Sequence, residues 1–297
     1  MILVTGSEGL VGRFLAKNLE ARGFTVKRFD IRRQSDEDIR NAASLETAIK
    51  GVSGVVHLAA VSRVLWGEQN PQLCHATNVE ALASLLRLCL EQKTRPWLVF
   101  ASSREVYGAQ ERLPVSEDAS LKPMNVYARS KVDGECLVNE ARGAGLHANI
   151  CRLSNVYGCP LDHPDRVTMA FASAAARGGV MTLEGGSNTF DFTYVEDVAD
   201  GIARLVEASM TDGLMPPIHF VGGQATSLRG LAELAAKMAI HPVKLSEAPP
   251  RDFDVGRFVG DPERAKKFLG WRASMSLETG FARLVHELRD VQSAAAQ

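Results

Sequence analysis

The chain has 297 residues, 45% of them hydrophobic, and a net charge of −1 at pH 7. That length suffices for one α/β domain with a smaller appended lobe, and the near-neutral balance offers no basic field for nucleic acid or anionic lipid. No apolar run reaches the roughly 18–20 residues of a membrane span, and the N-terminus enters a strand at once, which predicts no signal peptide and a cytoplasmic protein.

The first strand is predicted over residues 1–5. It runs straight into Gly6, Gly9 and Gly12, and then into a helical pattern over 11–22. Each glycine has a physical task at this spacing. Gly6 permits a sharp turn, Gly9 lets the backbone approach a pyrophosphate, and Gly12 lets the helix lie close to the strand. A helix N-terminus reached this way holds phosphate through free N–H groups and the helix dipole. The spacing is G-x-x-G-x-x-G rather than the G-x-G-x-x-G fingerprint.

A second strand is predicted over 24–30. Asp30 ends it, about 20 residues beyond the last glycine, where a carboxylate bonds the adenosine ribose hydroxyls of a dinucleotide. The carboxylate repels a 2′-phosphate, so NAD is favoured over NADP. Arg32 and Arg33 keep NADP open, because a guanidinium can accept that phosphate.

Further strands are predicted over 54–58, 97–101 and 148–153, and helices over 44–50, 75–93 and 125–143. The alternation implies a doubly wound parallel sheet, with its ligand crevice beyond the C-terminal strand ends. Ser103 falls at that crevice. Its hydroxyl can bond a substrate oxygen and a phenol.

The helix over 125–143 opens with Asn125 as a plausible N-cap and carries Tyr127 and Lys131 one turn apart, on one face. An ammonium beside a phenol lowers the phenol pKa toward neutrality and makes it a general acid/base for a hydroxyl proton. A lone Tyr-x-x-x-Lys occurs in many helices by chance. Here it shares a chain with the glycine turn and Ser103.

From about residue 158 the pattern changes. Pro160, Pro164, paired glycines at 178–179 and 185–186, and Pro216-Pro217 interrupt it. The division predicted is 1–157 for the dinucleotide-binding domain, with segments returning near 187–210, and 158–297 mainly for a substrate lobe. The five cysteines form no C-x-x-C pair and the histidines show no ligand spacing, so no metal is expected.

These pieces resemble the extended short-chain dehydrogenase/reductase superfamily of sugar-nucleotide epimerases, dehydratases and reductases. The blocks that carry the resemblance span nearly the whole chain: Asp38-Ile39, His57-Leu58-Ala59-Ala60, Asn78-Val79, Phe100–Gly108, Cys151–Gly158, Asp191–Ala199, Arg251–Val255 and Gly270-Trp271. The resemblance implies a Rossmann sheet with a smaller C-terminal α/β lobe. It implies cofactor contacts from Leu10 and Val11 beside the glycines, from Arg32, from Asp38 and Ile39 at the adenine, and from Leu58, Ala59, Ala60, Asn78 and Ala101. Tyr127 and Lys131 meet the nicotinamide end. Ser103, Tyr127, Lys131 and Glu105 form the implied catalytic set. Ser62, Ser103, Arg104, Asn155 and Arg251 face the substrate, with Asn155 and Arg251 at the diphosphate of a sugar nucleotide. A homodimer built on the helices near 75–93 and 125–143 is also implied.

Two positions depart from that family. Arg104 stands where the 4,6-dehydratases carry an Asp, and an arginine cannot protonate a leaving hydroxyl. Glu105 still resembles the glutamate of the UDP-glucuronate decarboxylases. Phe190 stands where the family usually carries an arginine that grips the diphosphate. Arg63, Arg166 and Arg177 are candidates for the missing charge. Three functions are therefore carried forward. The first is an NAD-dependent sugar-nucleotide epimerase, most plausibly at C4. The second is an NAD(P)-dependent reductase or dehydrogenase of a 4-keto sugar nucleotide, sugar or small alcohol. The third is a non-catalytic nucleotide sensor or scaffold.

Overall fold

The N-terminal apolar run forms strand β1 (Ile2–Thr5), buried along its whole length. A computed structural model describes residues 1–211, 213–251 and 255–295, and the side chains up to 290. After β1 come α1 (Leu10–Ala21), β2 (Val26–Phe29), α2 (Ala42–Ile49), β3 (Gly54–His57), α3 (Val64–Gln69), α4 (Pro71–His75) and α5 (Ala81–Glu91). Then follow β4 (Trp97–Ser103), α6 (Val126–Gly143), β5 (Ala148–Leu153), β6 (Asn155–Tyr157), α7 (Val167–Arg177), β7 (Gly179–Glu184), β8 (Thr189–Phe190) and β9 (Phe192–Tyr194). The last elements are α8 (Val195–Thr211), β10 (Ile218–Phe220), β11 (Thr226–Ser227), α9 (Leu228–Met238), β12 (Val243–Ala248), α10 (Glu263–Leu269) and α11 (Leu277–Ala295).

The large sheet has the order β10-β5-β4-β3-β1-β2, and every pairing in it is parallel. The chain leaves β1 toward β2 on one side and returns to β3 on the other. The crevice therefore opens beyond the C-terminal ends of β1 and β3. Helices α1 and α8 pack on one face over Leu15, Leu19, Ile202 and Val206. Helices α2, α5 and α6 cover the other face over Leu45, Leu82, Leu85 and Val138. Leu82, Leu85, Leu86 and Cys89, the apolar stripe of α5, are thus buried inside the chain. A third core of α7, α9 and α11 closes over Phe171, Leu183, Leu231 and Phe281.

Three departures from expectation bear on how the site is held. The helix foreseen over 75–93 is broken by a π turn at Ala76–Glu80. The wider turn directs Asn78 inward. Its Oδ1 accepts from Val61 N at 2.8 Å, and its Nδ2 donates to Val61 O at 3.0 Å and to Ser130 Oγ at 2.9 Å. Strand β4 runs two residues longer than foreseen, which makes Ser103 its last residue. The sixth strand, β10, was not foreseen. It is three residues long with a histidine at its centre, so it presents no apolar run.

That histidine is satisfied by the fold. His219 Nε2 and Tyr107 Oη form a 2.6 Å hydrogen bond, and Arg152 Nη1 donates to the same oxygen at 2.6 Å. Arg152 also bonds Glu135 through Nε (2.8 Å) and Nη2 (2.6 Å), and Ser102 Oγ donates to Glu135 Oε1 at 2.5 Å. This buried network ties the end of β4 to α6, the two elements that bear Ser103 and Tyr127.

Burial holds His219 and His57 neutral, each with its pKa pushed down to about 3. The unfolded chain binds these protons near pH 6.5 and the folded chain does not. Their contribution is complete above pH 6.5 and is lost as pH falls toward 3, with a slope of up to about 1.4 kcal/mol per pH unit for each histidine. Denaturant titrations between pH 7.5 and 4.5 are expected to show falling stability. The slope should flatten in His219→Gln. An unchanged slope in that variant contradicts the assignment.

Candidate active site

The glycine turn is built without slack. Gly6 has φ of +70°, and a Cβ there would lie 2.7 Å from Ala59 N. A Cβ on Gly12 would lie 2.1 Å from Gly6 O. Helix α1 starts at Gly9, which caps it with no side chain, so its first amides face the crevice. Asp30 Oδ2 accepts from Glu8 N at 2.9 Å and Oδ1 from Arg32 N at 2.8 Å, which locks the end of β2 to the turn.

The turn opens into a cavity of about 950 Å³. Every site residue expected from the sequence except Asn78, Arg33 and Arg177 lines it, Gly6 and Arg251 among them. Asn78 lies behind Val61, whose backbone it holds. Asp38 pairs with Arg40 at 2.5 Å, which holds its carboxyl below the usual range. Arg251 lies 3.4 Å from Glu184, and residues 252–254 of the block it opens lie outside the described residues.

Ser103, Tyr127 and Lys131 converge in this cavity. Asn125 caps α6 through Ala128 N at 2.8 Å, which sets the first turn carrying Tyr127. Ser103 Oγ accepts from Glu105 N at 3.2 Å, and its hydroxyl acts to lower the Tyr127 pKa. Lys131 Nζ donates to Ala101 O at 2.8 Å and lies 5.9 Å from the Tyr127 ring centroid. The expected drop in the tyrosine pKa is reversed. Burial pushes the phenol up to about 12, against the pull of the Ser103 hydroxyl, and pushes the Lys131 ammonium down to about 8. Loss of hydration is the largest cause for both groups.

Glu105 is fully engaged. Its Oε1 lies 2.8 Å from Arg104 Nη2, and its Oε2 accepts from Asn125 Nδ2 at 3.1 Å. The two departures noted in the sequence meet in space: the Arg104 guanidinium lies 4.6 Å from the Phe190 ring centroid. Arg104 Nε also donates to Asn155 Oδ1 at 3.2 Å.

Sequence reasoning missed the segment that bridges the cleft. Arg63 Nη1 donates to Asp165 Oδ1 at 2.5 Å, His163 packs edge-on to Trp66 at 4.5 Å, and Arg32 Nη2 lies 3.3 Å from His163 Nε2. Arg166 is paired with Asp162 at 3.1 Å. These residues lie on loops and in the short helix α3 and carry no periodic signal.

The model of a family described as "NAD dependent epimerase/dehydratase family" matches residues 2–214. The chain is 29% identical to UDP-glucuronate 4-epimerase 1 of Arabidopsis thaliana, over 70% of this chain and 55% of that protein, so it spans about half the length of that relative. It is 27% identical to a probable UDP-glucuronate 4-epimerase of Rhizobium meliloti, over 95% of each. The solved structure of MoeE5 in complex with UDP-glucose and NAD superimposes with a TM-score of 0.90, at 26% identity, over 98% of this chain and 99% of that one.

Proposed function

The chain belongs to the NAD dependent epimerase/dehydratase family, and from that premise we propose that it is an NAD-dependent epimerase acting at C4 of a UDP-linked sugar. The observation that carries this reading is the convergence of Ser103, Tyr127 and Lys131 in the cavity that the glycine turn opens.

The residues present fit the cofactor. A turn that excludes a Cβ at Gly12 and leaves the α1 amides uncapped suits a pyrophosphate. Asp30 would hold the adenosine ribose, Asp38 and Ile39 the adenine side, Leu58, Ala59, Ala60 and Ala101 the inner wall, and Lys131 the nicotinamide ribose. Bound NAD supplies a hydride acceptor and donor. The chain itself handles the proton. As phenolate Tyr127 would take it from the C4 hydroxyl, and as phenol return it when the sugar presents its other face, while Ser103 orients the oxygen. Lys131 stands one helical turn from Tyr127, with its Nζ 5.9 Å from the ring centroid. Asn155 and Arg251 would hold the diphosphate.

The bridge between Arg32, Arg63, Trp66 and residues 163–165 favours a cofactor that stays bound, and so an epimerase over a reductase that releases it. The reading includes a cytoplasmic homodimer, and the five free thiols suit a reducing compartment. Denaturing freshly purified protein is expected to release near-stoichiometric NAD or NADH, and the protein should interconvert UDP-sugar C4 epimers without added cofactor. An empty or NADP-loaded protein that turns over only with added cofactor would overturn this in favour of the reductase.

A further inference from the structure

Arg32 and Arg33 follow Asp30 at the adenosine end of the cavity, and a guanidinium there is the group that accepts a 2′-phosphate. The structure holds both elsewhere. Arg32 reaches across the cleft, where Nη1 donates to Glu8 O at 3.4 Å and Nη2 lies 3.3 Å from His163 Nε2. Arg33 does not line the cavity, and its Nε donates to Glu37 Oε2 at 3.2 Å. Arg40 does line it, but is taken by Asp38 through Nε at 3.0 Å and Nη2 at 2.5 Å.

Glu37 organises this end. The chain turns back after β2, with Arg33 N donating to Asp30 O at 2.9 Å and Glu37 N to Gln34 O at 3.0 Å. That path returns the Glu37 carboxylate to the strand end, where the same Oε2 that holds Arg33 accepts from Asp30 N at 3.0 Å. The side chain is 15% exposed and lines the cavity. Asp30 and Glu37 thus set two carboxylates side by side at one strand end. A ribose 2′-hydroxyl donates to a carboxylate, whereas a 2′-phosphate meets it as a like charge.

We propose that Glu37 is the residue that makes the site select NAD over NADP: it holds Arg33 outside the cavity and adds a second negative charge where a 2′-phosphate would lie. Asp30 supplies one charge, and Glu37 cancels the arginine that would offset it. This rests on the reading of the cavity as the NAD site and is independent of the chemistry at C4.

The test is the nucleotide carried by wild type, Glu37→Gln, Glu37→Gln/Arg33→Ala and Asp36→Asn. Each protein is equilibrated with excess equimolar NAD and NADP to a constant ratio, desalted, denatured and read by mass spectrometry. Glu37→Gln keeps an acceptor oxygen for Asp30 N, so the turn stays closed, and an unchanged Tm checks this. Its NADP:NAD ratio should rise about tenfold or more, the scale of one charged hydrogen bond gained and one like charge removed. Adding Arg33→Ala should return most of that gain. Asp36→Asn makes the same change of charge at the exposed neighbouring position, and its ratio should stay within about twofold of wild type. A wild-type ratio in Glu37→Gln, an equal rise in Asp36→Asn, or a double variant that keeps the whole gain overturns the proposal. Wild type that prefers NADP overturns it while leaving a dinucleotide site, and wild type that carries neither nucleotide refutes the cofactor reading with it. An NAD-loaded wild type that interconverts no C4 epimers refutes the epimerase reading alone.

Discussion

Tyr127→Phe is expected to lower kcat by about 10²- to 10⁴-fold, the range of a lost general acid/base. NAD should remain bound at wild-type stoichiometry. The substitution deletes one hydroxyl and keeps a ring that is 8% exposed and packed in the wall. Folding and cofactor contacts on the Lys131 side are therefore undisturbed, and the loss should fall on turnover rather than on KM. Single-turnover kinetics with a UDP-sugar, beside release of nucleotide on denaturation, separate the two. A Tyr127→Phe enzyme with full activity would remove Tyr127 from the chemistry.

The second large effect is expected at Gly12. In Gly12→Ala the new methyl would meet Gly6 O at 2.1 Å and Ser7 Cα at 2.8 Å, both backbone atoms with no rotamer to yield. Helix α1 must then move off the turn or the turn must open. Overpacking of this kind costs about 1–3 kcal/mol, and either movement withdraws the α1 amides from the pyrophosphate. The expected result is a lowered Tm together with at least about tenfold weaker NAD binding, since 1.4 kcal/mol is a factor of ten. Gly143→Ala is the matched control. Nothing lies within 4 Å of its would-be Cβ, and the site is helical. That variant should bind NAD as wild type does. A Gly12→Ala protein with native Tm and affinity would show that the close approach of helix and turn does not serve the cofactor.

Much of this site was legible because it rests on local rules. A strand running into glycines at fixed spacing, a carboxylate at the next strand end, and a phenol and an ammonium one helical turn apart are all set within short stretches of chain. The side chains they place on one crevice follow from the parallel alternation of strands and helices. The departures at Arg104 and Phe190 were also visible, but only as two separate anomalies. Their contact joins residues 86 positions apart, and no periodicity couples them.

What the sequence by itself determined was the doubly wound sheet, the dinucleotide turn and the membership of Ser103, Tyr127 and Lys131 in one site. Tertiary structure alone decided four things. Strand β10 is a strand because the buried Tyr107–His219–Arg152 network accepts its polar centre. Asn78 serves the Val61 backbone because a π turn rotates it inward. The bridge from His163 and Asp165 to Trp66 and Arg63 crosses the cleft through contacts about a hundred residues apart in the chain. The Tyr127 pKa rises rather than falls because burial, a property of the whole packed site, outweighs the opposing pull of the Ser103 hydroxyl and the Arg166 charge. Spacing along a chain specifies which groups can meet; the degree to which water is excluded where they meet is set by every element packed around them.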